Sequence, residues 1–335
     1  MTDALPTPAD PPLPSTLNPQ GARFLASIQQ AVSAAVVGAE LPLRLLVTAL
    51  LAGGHALVED VPGVGKTLLA RAFASSLGLT FARVQGTPDL LPTDVTGSSV
   101  LKGDEFHFLP GPVFANVLLV DEINRATPRT QSALLEAMQE RQVSAEGQTR
   151  PLPDPFLVLA TQNPIELEGT FALPEAQLDR FLLRIAMGYP DEEAERRIAR
   201  RHQASAEPLD EVTTVAPAEE ALALRAVART VHVSEDVERY VVTIVRASRE
   251  HADVRLGASP RGSVALYRVA QAWALLDGRG FVLPDDVRSV AHAVLEHRLL
   301  LDVDRELRGA TVSGVVQQVI DSVPVPLAGD PGTEA

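Results

Sequence analysis

The fold is decided by residues 56–67, which read Ala56-Leu57-Val58-Glu59-Asp60-Val61-Pro62-Gly63-Val64-Gly65-Lys66-Thr67. The apolar run at its start predicts a strand buried on both faces, and the apolar pattern from Leu68 to Leu77 predicts a helix after it. Glycines between a strand and a helix let backbone N–H groups and the helix N-terminus point at phosphate oxygens. The stretch therefore predicts a phosphate-binding loop in a mostly parallel α/β sheet.

The loop also supplies side chains for nucleotide chemistry. Lys66 is expected to contact the β- and γ-phosphates, and the Thr67 hydroxyl to bind Mg²⁺ beside ATP. Asp60 stands where the full pattern begins with glycine, at the strand end before the backbone nest, so we expect it to have a weak effect. The residues predicted to bind the nucleotide are Pro62, Gly63, Val64, Gly65, Lys66, Thr67 and Leu68.

Two acids follow a second apolar strand, Val117 to Val120. Asp121 is expected to hold Mg²⁺, and Glu122 to orient and deprotonate the attacking water. An acidic pair at a strand end is often a solvated loop start, but the upstream phosphate-binding loop favours the catalytic interpretation.

Two further polar residues lie where they could sense the nucleotide. Asn163 follows the predicted strand Phe156 to Ala160, where its side chain could hold the attacking water or contact the γ-phosphate; the alternative is a turn residue before Pro164. Arg261 follows Ser259-Pro260 at the start of a helix and could reach the nucleotide from a second domain. The alternative for Arg261 is an ordinary surface arginine.

Arg180 is the candidate for a catalytic arginine supplied by a neighbouring subunit. It lies at the end of a helix in Leu178-Asp179-Arg180-Phe181, near the edge of the α/β region. An arginine from across an interface stabilises charge that develops on the transferred phosphoryl group. An ion pair with Asp179 or Glu175 is the alternative, and Arg125 and Arg129 are rivals for the interface role.

The chain divides into two folded parts and two tails. We predict a Pro-rich disordered tail over residues 1–18, an α/β nucleotide-binding core over 19–188, a helical domain over 189–323 and a second disordered tail over 324–335. Two hairpins are expected in the core, pairing Ser98–Leu101 with Phe106–Leu109 and Gln142–Ala145 with Gln148–Leu152. The helices expected in the second domain are Asp191–His202, Pro217–Val231, Ser234–Arg249, Pro260–Leu276 and Pro284–Leu300.

Composition narrows the class of protein. The net charge of −14 disfavours a nucleic-acid partner. The chain has no cysteine, no apolar stretch long enough for a membrane span and no signal-like start, so we expect a cytoplasmic protein.

Five motifs in this order resemble those of the AAA+ ATPases: the phosphate-binding loop, the acidic strand end, the Asn163 strand, Asp179-Arg180-Phe181 and Ser259-Pro260-Arg261. The segments around them are similar to those of the MoxR family, and they include Glu59 to Thr67, Thr87 to Pro92, Gly111 to Phe114, Asp121 to Ala126 and Leu173 to Phe181. The resemblance covers about residues 21–323, and Asp60 matches what that family often has. Gly86 stands where a large apolar residue is expected.

The resemblance implies a ring, usually a hexamer, with nucleotide between subunits and the helical lid of one subunit against the core of the next. It implies an ATP-hydrolysing, chaperone-like remodeller of partner protein complexes, often beside proteins with a von Willebrand factor A domain. Two other functions stay open at this point. One is a nucleotide-dependent assembly scaffold with incidental hydrolysis, and the other is a DNA-remodelling motor.

Overall fold

The computed structural model describes residues 18–59, 63–145, 147–162, 169–201 and 208–326. Its strands are β1 Ala56–Glu59, β2 Phe81–Gln85, β3 Gly97–Lys102, β4 Glu105–Pro110, β5 Val117–Asp121, β6 Gln142–Ala145, β7 Gln148–Pro151, β8 Leu157–Gln162, β9 Leu183–Ile185, β10 Val254–Leu256 and β11 Leu300–Leu301. Its α-helices are α1 Pro19–Ser33, α2 Glu40–Ala52, α3 Lys66–Ser76, α4 Pro92–Thr96, α5 Pro128–Glu140, α6 Glu175–Leu178, α7 Glu192–Arg201, α8 Ala218–Ala228, α9 Glu235–Glu250, α10 Pro260–Leu276, α11 Pro284–Leu295, α12 Val303–Leu307 and α13 Val312–Ser322.

Five parallel strands form the central sheet, in the order β2-β5-β8-β1-β9. The three strands predicted from apolar runs, now β1, β5 and β8, are its inner strands, because a strand covered on both faces needs apolar side chains on both. The expected α/β fold class is confirmed. All five carboxyl ends lie along one edge of the sheet, and this places the residues after β1, β5 and β8 side by side.

Both predicted hairpins are present outside this sheet. Strands β3 and β4 pair antiparallel with Leu101 opposite Phe106, and β6 pairs with β7 with Val143 opposite Arg150. The Arg150 guanidinium lies 3.9 Å from the centre of the Phe108 ring, a cation–π contact that joins the two hairpins.

The helical part differs from expectation at one end. The predicted helix Pro284–Leu300 ends at Leu295, and after one 3₁₀ turn the chain enters β11, which pairs antiparallel with β10. The second domain is therefore helical with one short two-stranded ladder. Helices α12 and α13 follow, and neither was among the helices expected individually.

The helical part packs on α1 and α2 rather than standing apart. One continuous apolar core contains residues of α1, α2, α3, α10 and the sheet. Where α1 crosses α10, a Cβ on Gly21 would lie 2.2 Å from the Leu275 carbonyl oxygen, so the close approach requires glycine. The Arg44 guanidinium on α2 stacks 3.7 Å from the Trp273 ring and forms an ion pair with Asp277 at 2.5 Å. The boundary predicted at residues 188 and 189 stays a prediction.

The ends of the chain are described only in part. Asn18, the last residue of the predicted first tail, donates its backbone N–H to the Gly278 carbonyl at 2.7 Å. Residues 1–17 and 327–335, which hold the rest of both predicted tails, lie outside the described residues. Of the helices in the described ranges, none combines the length and apolar character needed to cross a membrane.

Candidate active site

The phosphate-binding loop turns into α3 with the geometry that the sequence predicts. Gly63 and Gly65 have φ values of 87° and 86°, a left-handed conformation that favours glycine, and α3 begins at Lys66 directly after them. Its N-terminus faces a cleft of about 430 Å³, which we call the loop cleft. The loop cleft is lined by Gly63, Gly65, Lys66, Thr67, Leu68, Arg83, Gln85, Asp121, Glu122, Thr161 and Gln162.

Four of the residues singled out from the sequence are not seen in the loop cleft. Val64 is described but does not line the cleft. Pro62, Asp60 and Asn163 lie outside the described residues, so their predicted roles stay predictions.

Asp121 ends β5 within the loop cleft, and its side chain is only 10% exposed. One carboxylate oxygen accepts from the Arg83 Nε at 2.6 Å, and the other accepts from the Thr161 hydroxyl at 3.3 Å. Both carboxylate oxygens therefore have a partner within the chain, one of them a cation. Thr67 lines the same cleft, so a hydroxyl and a carboxylate are available to a hard cation such as Mg²⁺.

Glu122 has a strained backbone and a restrained carboxylate. Its φ of 54° is left-handed, a conformation that costs a non-glycine residue of the order of 1–3 kcal/mol and occurs often at active sites. The backbone N–H donates to the Thr161 hydroxyl at 2.9 Å, which fixes this turn. The carboxylate accepts from Gln85 Nε2 at 2.7 Å and from Arg125 Nη1 at 3.2 Å. Arg125, a rival for the interface role, is thus paired within its own chain.

Sequence reasoning assigned no role to Arg83, Gln85 or Thr161. Arg83 and Gln85 lie two residues apart on β2, so they share one face of the strand and reach the two acids of β5. A polar–apolar alternation in Phe81–Gln85, next to a strand that ends in two acids, is the signal that could have indicated them.

Gly86 explains why no large apolar residue follows β2. Its N–H donates to the Asp121 carbonyl at 2.7 Å. A Cβ at this position would lie 2.2 Å from the Glu122 carbonyl oxygen. The backbone of β2 therefore approaches the turn of the two acids so closely that only glycine fits.

Arg180 and Arg261 lie in a second cleft of about 600 Å³, which we call the arginine cleft. Its lining includes six arginines: Arg141, Arg180, Arg229, Arg261, Arg268 and Arg298. Gly53, Gly54 and His55 also line it, and these residues precede β1, whereas the phosphate-binding loop follows β1. The two clefts therefore lie at opposite edges of the sheet and share no lining residue.

This placement removes one alternative for Arg180 and leaves the nucleotide contact of Arg261 a prediction. Arg261 lies beside Arg180 and not at the phosphate-binding loop of its own chain, because α10 packs on α1 and α2. Asp179 forms an ion pair with Arg298 at 2.9 Å rather than with Arg180. Within the described ranges Arg180 has no ion pair, and its buried Nε has no hydrogen-bond acceptor.

His55 is a buried, neutral residue in the lining of the arginine cleft. Its Nδ1 accepts from the Val158 backbone N–H at 3.0 Å, so its Nε2 carries the proton and donates to the Met138 carbonyl at 3.0 Å. Burial lowers the pKa of His55 from 6.5 to about 4. Nearby Arg141 and Arg225 lower it further, against the opposing effect of the Met138 bond.

The chain is similar to known proteins over most of its length. Residues 55–183 match the family model "ATPase family associated with various cellular activities (AAA)", and residues 246–319 match "AAA lid domain". The chain is 43% identical to "Chaperone MoxR1" of Mycobacterium tuberculosis over 302 residues, which are 87% of this chain and 79% of that protein. It is 35% identical to "Protein MoxR" of Methylorubrum extorquens over 90% of this chain and 95% of that protein. The chain belongs to the MoxR family of AAA+ ATPases.

A solved structure shows the same fold in a related protein. A crystal structure from Cytophaga hutchinsonii superposes on the chain with a TM-score of 0.86 at 37% identity, and the match covers 92% of this chain and 97% of that one. As a MoxR-family ATPase the chain binds nucleotide and hydrolyses ATP. Of the predicted site residues, Lys66, Thr67, Asp121 and Glu122 line the loop cleft, whereas Arg180 and Arg261 line the arginine cleft.

Proposed function

We propose that this MoxR-family ATPase hydrolyses ATP at sites shared between adjacent subunits of a ring, and that it uses the hydrolysis to remodel partner protein complexes. The observation that carries the shared site is the position of the two clefts at opposite edges of the sheet. The arginines of one subunit can reach phosphates only in the loop cleft of another subunit.

Charge supports this arrangement. In the described part of the chain, Arg180, Arg229, Arg261 and Arg268 form no ion pair, although the net charge of the whole chain is −14. Cations that line a cleft without a counter-charge attract anions to it. A nucleotide held by a neighbouring subunit supplies such an anion.

The residues of the loop cleft act on the nucleotide of their own subunit. The N–H groups at the start of α3 and the Lys66 ammonium bind the phosphates, while Thr67 and Asp121 hold Mg²⁺. Mg²⁺, when bound, neutralises charge that develops on the β- and γ-phosphates. Glu122 orients the attacking water and accepts its proton.

The Glu122 carboxylate is held by two partners through one of its oxygens. Gln85 and Arg125 both donate to Oε2, at 2.7 and 3.2 Å. Neither bond involves Oε1, so we assign Oε1 the role of accepting the proton of the attacking water.

Arg180, with Arg261 beside it, contacts the γ-phosphate of the adjacent subunit. A trans-acting arginine contributes of the order of 10³ to 10⁵ in rate in related phosphoryl-transfer enzymes. Arg129 stays a rival, because it is exposed and has no ion pair in the described ranges.

The proposed client contact is the β3–β4 hairpin. Leu101, Phe106 and Leu109 are 63%, 74% and 60% exposed, so the ribbon presents apolar side chains that another protein can cover. By its resemblance to the MoxR family, the ring is a hexamer and its partners include von Willebrand factor A domain proteins or other client complexes. We propose the cytoplasm as its location, because the chain has no cysteine.

The test is ATP turnover as a function of protein concentration. We expect the specific activity of the wild type to rise with concentration, because a shared site exists only in the oligomer. Arg180→Ala should lose turnover and keep ATP binding, since its loop cleft is intact. Glu122→Gln should also lose turnover and keep ATP binding, because it lacks the catalytic base in the loop cleft while its arginine cleft is intact.

Mixing the two inactive variants gives the decisive result. In a mixed ring, the intact loop cleft of Arg180→Ala meets the intact arginine cleft of Glu122→Gln, so activity should return. Activity that does not depend on concentration, survives Arg180→Ala and gains nothing from mixing would refute the shared site.

A further inference from the structure

Asp179 connects the part of the arginine cleft formed by the α/β core with the part formed by the helical domain. It follows α6 and immediately precedes Arg180. Its Oδ1 accepts from Arg298 Nε at 2.9 Å, and its Oδ2 accepts from the Ser259 hydroxyl at 2.8 Å. One carboxylate therefore ties the α/β core to two separate segments of the helical domain.

Arg298 is the fixed end of this connection. Its side chain is 2% exposed, and burial lowers its pKa to about 10, so it stays charged at neutral pH. Besides Asp179, its guanidinium donates to the Phe181 carbonyl at 2.6 Å, the Leu182 carbonyl at 3.2 Å and the Val294 carbonyl. Every one of these partners is polar and internal, so Arg298 is not available to an external anion.

Ser259 is the second partner of Asp179 and connects it to α10. It is the N-cap of α10, and its hydroxyl accepts from the Arg261 backbone N–H at 3.1 Å while it donates to Asp179. Arg261 is two residues beyond it, in the first turn of α10. A hydrogen-bonded path from the residue before Arg180 to the first turn of α10 thus passes through the Asp179 carboxylate and the Ser259 hydroxyl.

We propose that Asp179 is a positioning residue that holds Arg180 and Arg261 as one unit, with Arg298 as its buried anchor and Ser259 as its link to α10. The proposal rests on the shared-site function above and adds the device that sets the two arginines for a neighbouring nucleotide. Arg180 and Arg261 lie on segments far apart in the chain, and the Asp179–Ser259 hydrogen bond fixes the first turn of α10 against the residue that precedes Arg180.

The test breaks the link without adding charge, and a matched control accounts for the lost N-cap bond. Ser259→Gly removes the hydroxyl, and glycine is itself a residue that N-cap positions accept. Ser259→Thr keeps both the cap and the hydroxyl. Ser234→Gly makes the same exchange at the N-cap of α9, where the Ser234 hydroxyl accepts only the Val237 N–H among the described contacts.

We expect Ser259→Gly to lower kcat about 10- to 100-fold, the effect of an active group displaced by about 1 Å. ATP binding should not change, because the loop cleft lies at the other edge of the sheet. Ser259→Thr should retain most of the activity, and Ser234→Gly should behave as the wild type. A kcat of Ser259→Gly within twofold of the wild type would overturn the proposal.

Mixing distinguishes a positioning defect from misfolding. Ser259→Gly should regain activity when mixed with Glu122→Gln, which has an intact arginine cleft, and should regain none with Arg180→Ala, because both lesions lie in the same cleft. Equal recovery with both partners would overturn the role of Asp179. If Arg180→Ala and Glu122→Gln fail to complement each other, the shared site itself is wrong.

Discussion

Replacing His55 with a residue that does not titrate should flatten the dependence of stability on pH. In the folded protein His55 is buried, and its pKa is lowered from 6.5 to about 4. Protonation would place a hydrogen on Nδ1 and break the bond from the Val158 N–H. The unfolded chain takes up this proton near pH 6.5, but the folded chain resists it down to about pH 4. The stability from neutral His55 is therefore full above about pH 6.5 and is lost as the pH falls.

The size of this contribution to the free energy of unfolding follows from the two pKa values of His55, folded and unfolded. A pKa difference between 6.5 and about 4 corresponds to about 3 kcal/mol when both states are protonated. Between pH 7 and pH 5 the part lost is about 2 kcal/mol. We expect the free energy of unfolding of the wild type to fall by about 2 kcal/mol more over this interval than that of His55→Gln.

Denaturant titrations of both proteins at pH 7 and pH 5 give the difference directly, and groups that titrate in both proteins cancel. NMR titration of the imidazole signals of the wild type gives the pKa of His55 itself. The protein has seven histidines, and the His55 signal is identified as the one that is missing from the His55→Gln spectrum. Parallel pH profiles for the two proteins, or a His55 pKa above 6, would refute the reasoning.

Other changes test the site and its surroundings. Glu122→Gln should reduce ATP turnover by about 10² or more while ATP binding, measured by fluorescence of a labelled nucleotide, is kept. Gly86→Ala should destabilise the fold by about 1–3 kcal/mol, because its Cβ would meet the Glu122 carbonyl oxygen at 2.2 Å. Gly314→Ala is its control in thermal unfolding, since a Cβ there meets only the Thr311 hydroxyl. The hydrogen bond to Glu296 raises the pKa of His292. Protonated His292 therefore stabilises the fold below about pH 6.5, and this stabilisation is lost as the pH rises through the pKa of the folded protein. Denaturant titrations of His292→Gln should not show that loss.

Much of the sheet and the loop cleft could be predicted because local chemistry determines them. Continuous apolar runs indicate strands buried on both faces, and glycines followed by Lys66 indicate a phosphate-binding loop whatever surrounds it. The strand β2 was not predicted, because Arg83 and Gln85 interrupt its apolar pattern to reach the acids of β5. The strand β9 has only three residues, too few for a periodic signal.

The position of Arg261 could not be predicted from local sequence. It depends on which face of the core receives the helical domain, and contacts far apart in the chain decide this, among them Gly21 with Leu275 and Arg44 with Asp277. The partner of Asp179 is similarly distant, because Arg298 lies 119 residues away. Motif order singled out Arg180 and Arg261, but the docking of α10 is what places both of them in the arginine cleft.

The arginine cleft also gives the single subunit an electrical polarity. Four arginines that form no ion pair within the described ranges lie on one side of a chain with a net charge of −14, so the rest of the surface carries a larger negative charge than the total indicates. In the proposed ring, two subunits would attract each other when the positive side of one faces the negative surface of the other, and would repel in other orientations. That long-range field would orient two approaching subunits head to tail, and added salt should then slow their encounter more than it weakens the finished contact.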